Sequence, residues 1–186
     1  FQEKTGEVQA FKAVSRGDRD FSALAAEFKA LKPDGVFFGG IFTEAAYLVK
    51  QLRQAGVAAT FISGDGAKGD ELFTIAGEAS DNIYLAVSGI PIEHLPSASD
   101  FIAKYQHRYK TEPRVFDHYA HEAGLIVAEG LLKAGLDRAK LIETVRASRH
   151  NGMLGNIIFD SKGDTLKTVM TMTRADYKQK RFVAVY

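Results

Sequence analysis

An α/β fold, a parallel sheet flanked by helices, is what the 186-residue sequence predicts, and three observations predict it. Short apolar runs alternate with segments of helical periodicity through the first half of the chain. The connections between them are only a few residues long. Glycines stand at the ends of the apolar runs, where strands give way to loops. The order β-α-β-α-β-α-β argues parallel strands with helices on both faces. A hydrophobic fraction of 46% is enough to build a packed core.

Each element has its own signal. Residues 8–14 read as the first strand, with Val8, Ala10 and Phe11 apolar and turn residues 15–18 after it. Asp18 or Asp20 then caps a helix on which Phe21, Leu24, Ala25, Phe28 and Leu31 recur at helical spacing. Pro33-Asp34-Gly35 breaks it, and residues 35–40 (GVFFGG) form a short apolar strand ending in two glycines. Thr43 caps the next helix, whose stripe is Ala45, Leu48, Val49, Leu52 and Ala55, with Gly56 in the place of a C-terminal cap. Residues 60–63 make another strand, followed at once by Gly64-Asp65-Gly66; a brief helix over 70–76 leads to a strand over 83–88.

The rhythm then changes. Gly89-Ile90-Pro91 interrupts, and Ser97 to Asp100 has the spacing of a capping box. Three helical patterns follow: Phe101, Ile102, Tyr105, Tyr109; then Phe116, Ala120, Ala123, Val127, Leu131; then Leu141, Ile142, Val145. Gly135 ends the second and Asp137 begins the third. Residues 157–159 return to strand, 160–164 are a turn, and 169–174 with 181–186 read as a hairpin around 176–180. The three helices have no strands between them. Either they cover one face of the sheet or they belong to a second lobe whose sheet lies elsewhere.

Composition excludes several functions. Lys and Arg number 24 against 23 Asp and Glu, a net charge of +1, which gives no electrostatic footprint for nucleic acid or an anionic membrane. The absence of Cys removes disulfides, thiol nucleophiles and Cys-ligated metal sites, without deciding the compartment. No run approaches the roughly 20 apolar residues of a membrane span. Phe1 opens a polar stretch to Glu7 with no apolar run, so no signal peptide is expected within it. With no initiator Met and an apolar segment by Val8, the expectation is a mature or truncated product.

Catalytic signatures are weak. Gly64-Asp65-Gly66 is neither a P-loop nor a dinucleotide fingerprint, Ser63 is not in a nucleophile elbow, and Ser15-Arg16-Gly17-Asp18 holds a single glycine. His118, His121 and Glu122 share a helix face, but H-x-x-H-E matches no zinc-enzyme order, so a structural or solvent-facing role is expected, with no metal and no cofactor. His94, His107 and His150 stand alone. Two strand ends carry more, because ligands of open α/β sheets bind beyond the carboxyl ends of the strands. Those ends are Gly39-Gly40-Ile41-Phe42-Thr43 and Ser63-Gly64-Asp65-Gly66. Asp65 either receives a ligand ammonium or caps a turn, and spacing does not separate the two. Ile41 and Phe42 are equally pocket walls or packing residues.

Three segments together resemble a known family. They are Asp20-Phe21-Ser22 through Lys32-Pro33-Asp34-Gly35-Val36-Phe37-Phe38-Gly39-Gly40; Gln51-Leu52-Arg53-Gln54-Ala55-Gly56 with Ile62-Ser63-Gly64-Asp65-Gly66 and Ala76-Gly77-Glu78-Ala79; and Gly155-Asn156-Ile157-Ile158-Phe159-Asp160 with Gly163-Asp164. In order and spacing they resemble the amino-acid-binding receptors of the branched-chain type, the Leu/Ile/Val-binding protein family of type I periplasmic binding proteins. The resemblance implies a type I periplasmic-binding-protein-like fold with part of a second lobe. It implies no enzyme but a receptor, periplasmic or extracellular and lipid-anchored, that captures an amino acid or similar small zwitterion between two lobes and delivers it to the membrane permease of an ABC importer.

By the same resemblance Asp65 holds the ligand's α-ammonium, while Ile41, Phe42 and Ser63 shape the near wall. Ile41 stands where the family usually has Tyr. The family's carboxylate-binding residues lie in an N-terminal half that nothing here matches, so that half is an expected partner. Residues 1–88 plus 168–186 would form most of the C-terminal lobe, and 91–165 a helical contribution to the other, whose sheet is missing. Crossovers would fall near 88–91 and 164–167. The expectation is therefore a fragment. An effector sensor of the same fold, for amides or sugars, is the alternative, and a Rossmann-like enzyme a lesser one.

Overall fold

The computed structural model describes residues 6–166 and 169–185; the start of the chain, residue 167 of the expected second crossover, residue 168 at the expected return to the C-terminal lobe, and Tyr186 of the expected hairpin lie outside the described residues. In chain order the helices and strands are α1 (Ser22–Leu31), β1 (Gly35–Phe38), α2 (Phe42–Gln54), β2 (Thr60–Gly64), α3 (Glu71–Ala76), β3 (Tyr84–Ser88), α4 (Ser99–Tyr109), α5 (Asp117–Ala134), α6 (Arg138–Arg146), β4 (Arg149–Gly152), β5 (Gly155–Ile158), β6 (Met170–Asp176) and β7 (Arg181–Val185). Two compact units divide them: the chain up to Val87 together with the chain from Thr171, and Ser88–Met170.

The first unit is built on a five-stranded sheet in the order β1-β2-β3-β6-β7. β1, β2 and β3 are parallel, with Phe38 opposite Ser63 and Gly64 opposite Ala86. β6 and β7 pair antiparallel, Asp176 opposite Arg181, so the sheet is mixed. The expected first strand does not form. Residues 8–14 carry no strand, Phe11 is 92% exposed, and the following turn closes on itself through Asp18 N–H to Ser15 O at 3.1 Å. A short apolar segment becomes a strand only when a neighbour supplies a ladder, and none does so here among the described residues.

Among the described residues of the first unit, its helices α1, α2 and α3 cover one face of this sheet. α1, α2 and α3 lie in a row with α2 in the middle. Strand order runs in one direction from β1 to β3, and right-handed crossovers then deliver successive helices to the same side. Strand burial agrees: Val36, Phe38, Phe61, Leu85 and Val87 are buried, whereas Phe37 on the opposite face is 72% exposed. The buried side of α2 is the expected stripe, Ala45, Leu48, Val49 and Leu52, and Gly56 follows it at φ 85° as a left-handed C-terminal residue. Together with Phe61, Leu72 and Ile83 these side chains form the core, each large one worth about 1.5–3 kcal/mol on burial.

Two helix starts differ from expectation by one to three residues. α2 begins at Phe42 with Ile41 as an extended N-cap, so Thr43 lies inside the helix. α1 begins at Ser22, and neither Asp18 nor Asp20 is its cap residue. Asp20 still serves the first turn, accepting Ser22 N–H at 3.0 Å, and that bond holds its carboxyl below the ordinary range.

In the second unit α5 presents His118, Glu122, Ile126, Gly130 and Ala134 as one buried row. α6 packs where α5 has Gly130: a Cβ there would stand 2.9 Å from side-chain atoms of Leu141 and Val145. Asp137 caps α6 as expected, accepting Lys140 N–H at 3.0 Å. Ser97 caps no helix; its hydroxyl donates to Met153 O at 2.6 Å, tying the start of α4 to the loop after β4. The expected strand at 157–159 is one arm of an antiparallel hairpin, β4–β5, whose first arm had no apolar run to mark it.

Candidate functional site

Two loops meet beyond the carboxyl ends of β1 and β2. Because Phe38 and Ser63 are level in the sheet, Gly39-Gly40-Ile41 and Gly64-Asp65-Gly66 leave it side by side. Glycine lets them touch. A Cβ on Gly66 would come within 2.8 Å of Gly40 O and 3.8 Å of Ile41 Cγ2, and one on Gly69 within 3.2 Å of Phe42 Cγ. The structure thus brings Ile41, Phe42 and the loop after Asp65 together.

Each expected residue has a distinct setting. Asp65 opens a 3-10 turn, Asp65–Ala67, in which its carbonyl accepts Lys68 N–H at 2.9 Å. Asp65 as a residue is half-buried, and among the described residues no hydrogen bond or ion pair engages its carboxylate. Ile41 is 37% exposed and Phe42 half-buried at the first turn of α2. Ser63 points the other way. It is fully buried, and its hydroxyl donates to Phe38 O at 2.6 Å, so it ties β2 to β1 beneath the loops.

Sequence reasoning missed the supports around this site. Glu44, in the first turn of α2, is buried and accepts Gly17 N–H at 2.7 Å through Oε1, while Oε2 has no hydrogen-bond partner. Gln51 bridges the start of α1, accepting Phe21 N–H at 2.6 Å and donating to Arg19 O at 2.7 Å. Arg53 donates to Val57 O and Ala59 O at 2.7 and 2.9 Å, and burial lowers its pKa. Three polar side chains on one helix read as a solvated face. Their bonds run to backbone up to 32 residues away in sequence, which periodicity does not register.

Other candidates separate from the site. His118 and Glu122 are buried on α5, whereas His121 is exposed against the Phe101 ring at 5.0 Å, so the three do not converge. Among the described residues no group of three or more His, Cys, Asp or Glu is placed to hold a metal, and no helix is long and apolar enough to cross a membrane. A concavity of about 510 Å³ lies at the amino ends of β1 and β2, beside Lys29, Lys32 and Pro33, away from their carboxyl ends.

The mixed sheet with its flanking helices has the type I periplasmic-binding-protein-like fold. The chain belongs to the periplasmic binding protein family, whose pattern matches residues 1–181. It is 34% identical over 158 residues to the leucine-, isoleucine-, valine-, threonine- and alanine-binding protein of Pseudomonas aeruginosa, covering 84% of this chain and 42% of that protein. The chain therefore spans about two fifths of the length of that relative. Among solved structures, a leucine-binding protein (LivK) from Thermotoga maritima superposes with a TM-score of 0.80 at 28% identity, over 91% of this chain and 49% of that one. A solute-binding protein from R. palustris in complex with benzoate matches the fold with a TM-score of 0.80 at 22% identity, over 100% of this chain and 51% of that one.

Proposed function

We propose that this chain is part of a solute-binding receptor, not an enzyme, which takes an amino acid, branched-chain or related, for an ABC importer. The carrying observation is Asp65, a carboxylate at a strand's carboxyl end with no partner of its own, beside Ile41 and Phe42. A ligand ammonium supplies the missing charge, and a charge-assisted hydrogen bond in a closing site is stronger than its counterpart in water. Ile41 and Phe42 take the ligand's apolar side chain, and Ser63 shapes their wall from below by holding β1 and β2 level. In this reading residues 1–88 with 168–186 serve one lobe and 91–165 the other, with crossovers near 88–91 and 164–167. The ligand carboxylate is held by a further N-terminal half, the membrane permease is the second partner, and the setting is periplasmic or extracellular. Homology to amino-acid receptors supports this.

The test is calorimetric titration of the full-length protein with leucine, isoleucine, valine, alanine and benzoate. Binding of an apolar amino acid is expected. Asp65→Asn should weaken it roughly 10- to 100-fold, the equivalent of one hydrogen bond to a charged group. Unchanged affinity in that variant removes Asp65 from the site. A response to benzoate alone replaces the ligand class, since a carboxylate without an ammonium gains nothing from Asp65.

A further inference from the structure

Away from this site, α5 and the β4–β5 hairpin enclose an acid–base cluster. His150 on β4 is buried, and each ring nitrogen meets a carboxylate of α5: Nε2 lies 3.3 Å from Glu122 Oε2 and Nδ1 lies 3.3 Å from Glu129 Oε1. Glu122 is 3% exposed, while the Glu129 side chain is 50% exposed. On α5 itself His118 shares the buried row one turn before Glu122. On the hairpin Arg149 is exposed, and β5 (Gly155–Ile158) has no titratable side chain. The backbone makes room for the cluster at Gly152, where a Cβ would overlap Glu122 Oε2 and stand 2.6 Å from His150 Nε2.

We propose that His150 is an ionic latch: the imidazolium, protonated on both nitrogens, bridges Glu122 and Glu129 and holds the β4–β5 hairpin on α5. The chemistry of the ring carries this. A neutral imidazole donates at one nitrogen and accepts at the other, so in either tautomer a lone pair would face a carboxylate. A buried carboxylate facing a lone pair is unfavourable, and the imidazolium removes the conflict at both ends. The latch holds while the ring carries its charge and is released when the ring gives up a proton. Leu154, Asn156 and Ile157 of the hairpin region line a cavity of about 410 Å³ together with Glu122, so release of the latch loosens one wall of that cavity. The proposal does not depend on which ligand the Asp65 site takes.

The test is amide hydrogen exchange of the full chain at pH 6 and pH 8.5, corrected for intrinsic rates, read at residues 149–158 with β2 as internal control. In the unaltered protein protection of the hairpin should fall about tenfold or more at the higher pH. His150→Gln, which keeps a donor and loses the charge, should show low protection at both pH values. Glu129→Gln, altered at the half-exposed end, should lose part of the difference. Equal pH dependence in His150→Gln and the unaltered protein overturns the latch. So does a nitrogen spectrum showing one ring proton at pH 6. If His150→Gln does not fold, Glu129→Gln decides: an undiminished pH difference there overturns the proposal.

Discussion

At residue scale, single side chains hold loops where backbone geometry alone would leave them free. Ser63 is read most simply as a lining residue, yet its hydroxyl is committed to Phe38 O inside the sheet. Ser63→Ala should cost about 1 kcal/mol and leave the fold intact, read as a lower denaturant midpoint with an unchanged slope. Gly66 is constrained by Gly40 O, which is backbone and has little room to move. Gly66→Ala should therefore shift the turn that carries Asp65 and weaken ligand binding more than it lowers stability.

Asp160 offers a pH test in the second unit. It accepts Asp164 N–H at 2.9 Å and Lys162 N–H at 2.8 Å, and these bonds hold its carboxyl below the ordinary 3.8. A depressed pKa contributes stability above the unfolded value and loses it as pH falls through the folded one. The amide resonances of Lys162 and Asp164 should accordingly move with an inflection below 3.8. An inflection at or above that value would count against the closed turn.

At the scale of elements, caps and stripes were legible because they are local. Asp137 at the start of α6 was readable from its position after Gly135, and Asp137→Ala should cost about 1 kcal/mol by freeing Lys140 N–H. The stripe of α2 was equally plain. Leu52, 1% exposed, should cost about 2–5 kcal/mol when cut to Ala, measured by urea unfolding. Residues 8–14 were misread because a strand is a property of a pair, and the partner is not encoded within the segment. β4 was missed for the opposite reason: Arg149 to Gly152 has no apolar run, and β5 alone makes it a strand. Helices on both faces were expected from alternation, but alternation does not specify the direction in which strands are added.

At the scale of the molecule, the two units are unequal. The large core lies entirely in the first unit, around Phe61, Leu72 and Leu85. In the second, the buried hydrophobics among the described residues are Ala98, Ile126 and Ala134, while Leu132 is 88% and Leu136 99% exposed. A helix apolar on several sides is built for burial on several sides. Hydrogen exchange should therefore be more protected over β1, β2 and β3 than over α4 and α6, since local stability follows buried apolar contact. The same exposed faces should bind a hydrophobic dye. Equal protection in both units would refute the unequal-core reading.

The sequence by itself determined the fold class, the α2 stripe with its Gly56 cap, the α5–α6 break at Gly135, and Asp65 at a strand's end. These are set within a few residues of chain, through periodicity, glycine and capping chemistry. Only the tertiary structure decided that helices cover one face of the sheet, that Ser63 faces inward, that Glu44, Gln51 and Arg53 anchor distant backbone, and that His150 meets Glu122 and Glu129. Those facts depend on which segments pack together far apart in sequence, and a hydrogen bond between positions 19 and 51 leaves no mark on either stretch read alone.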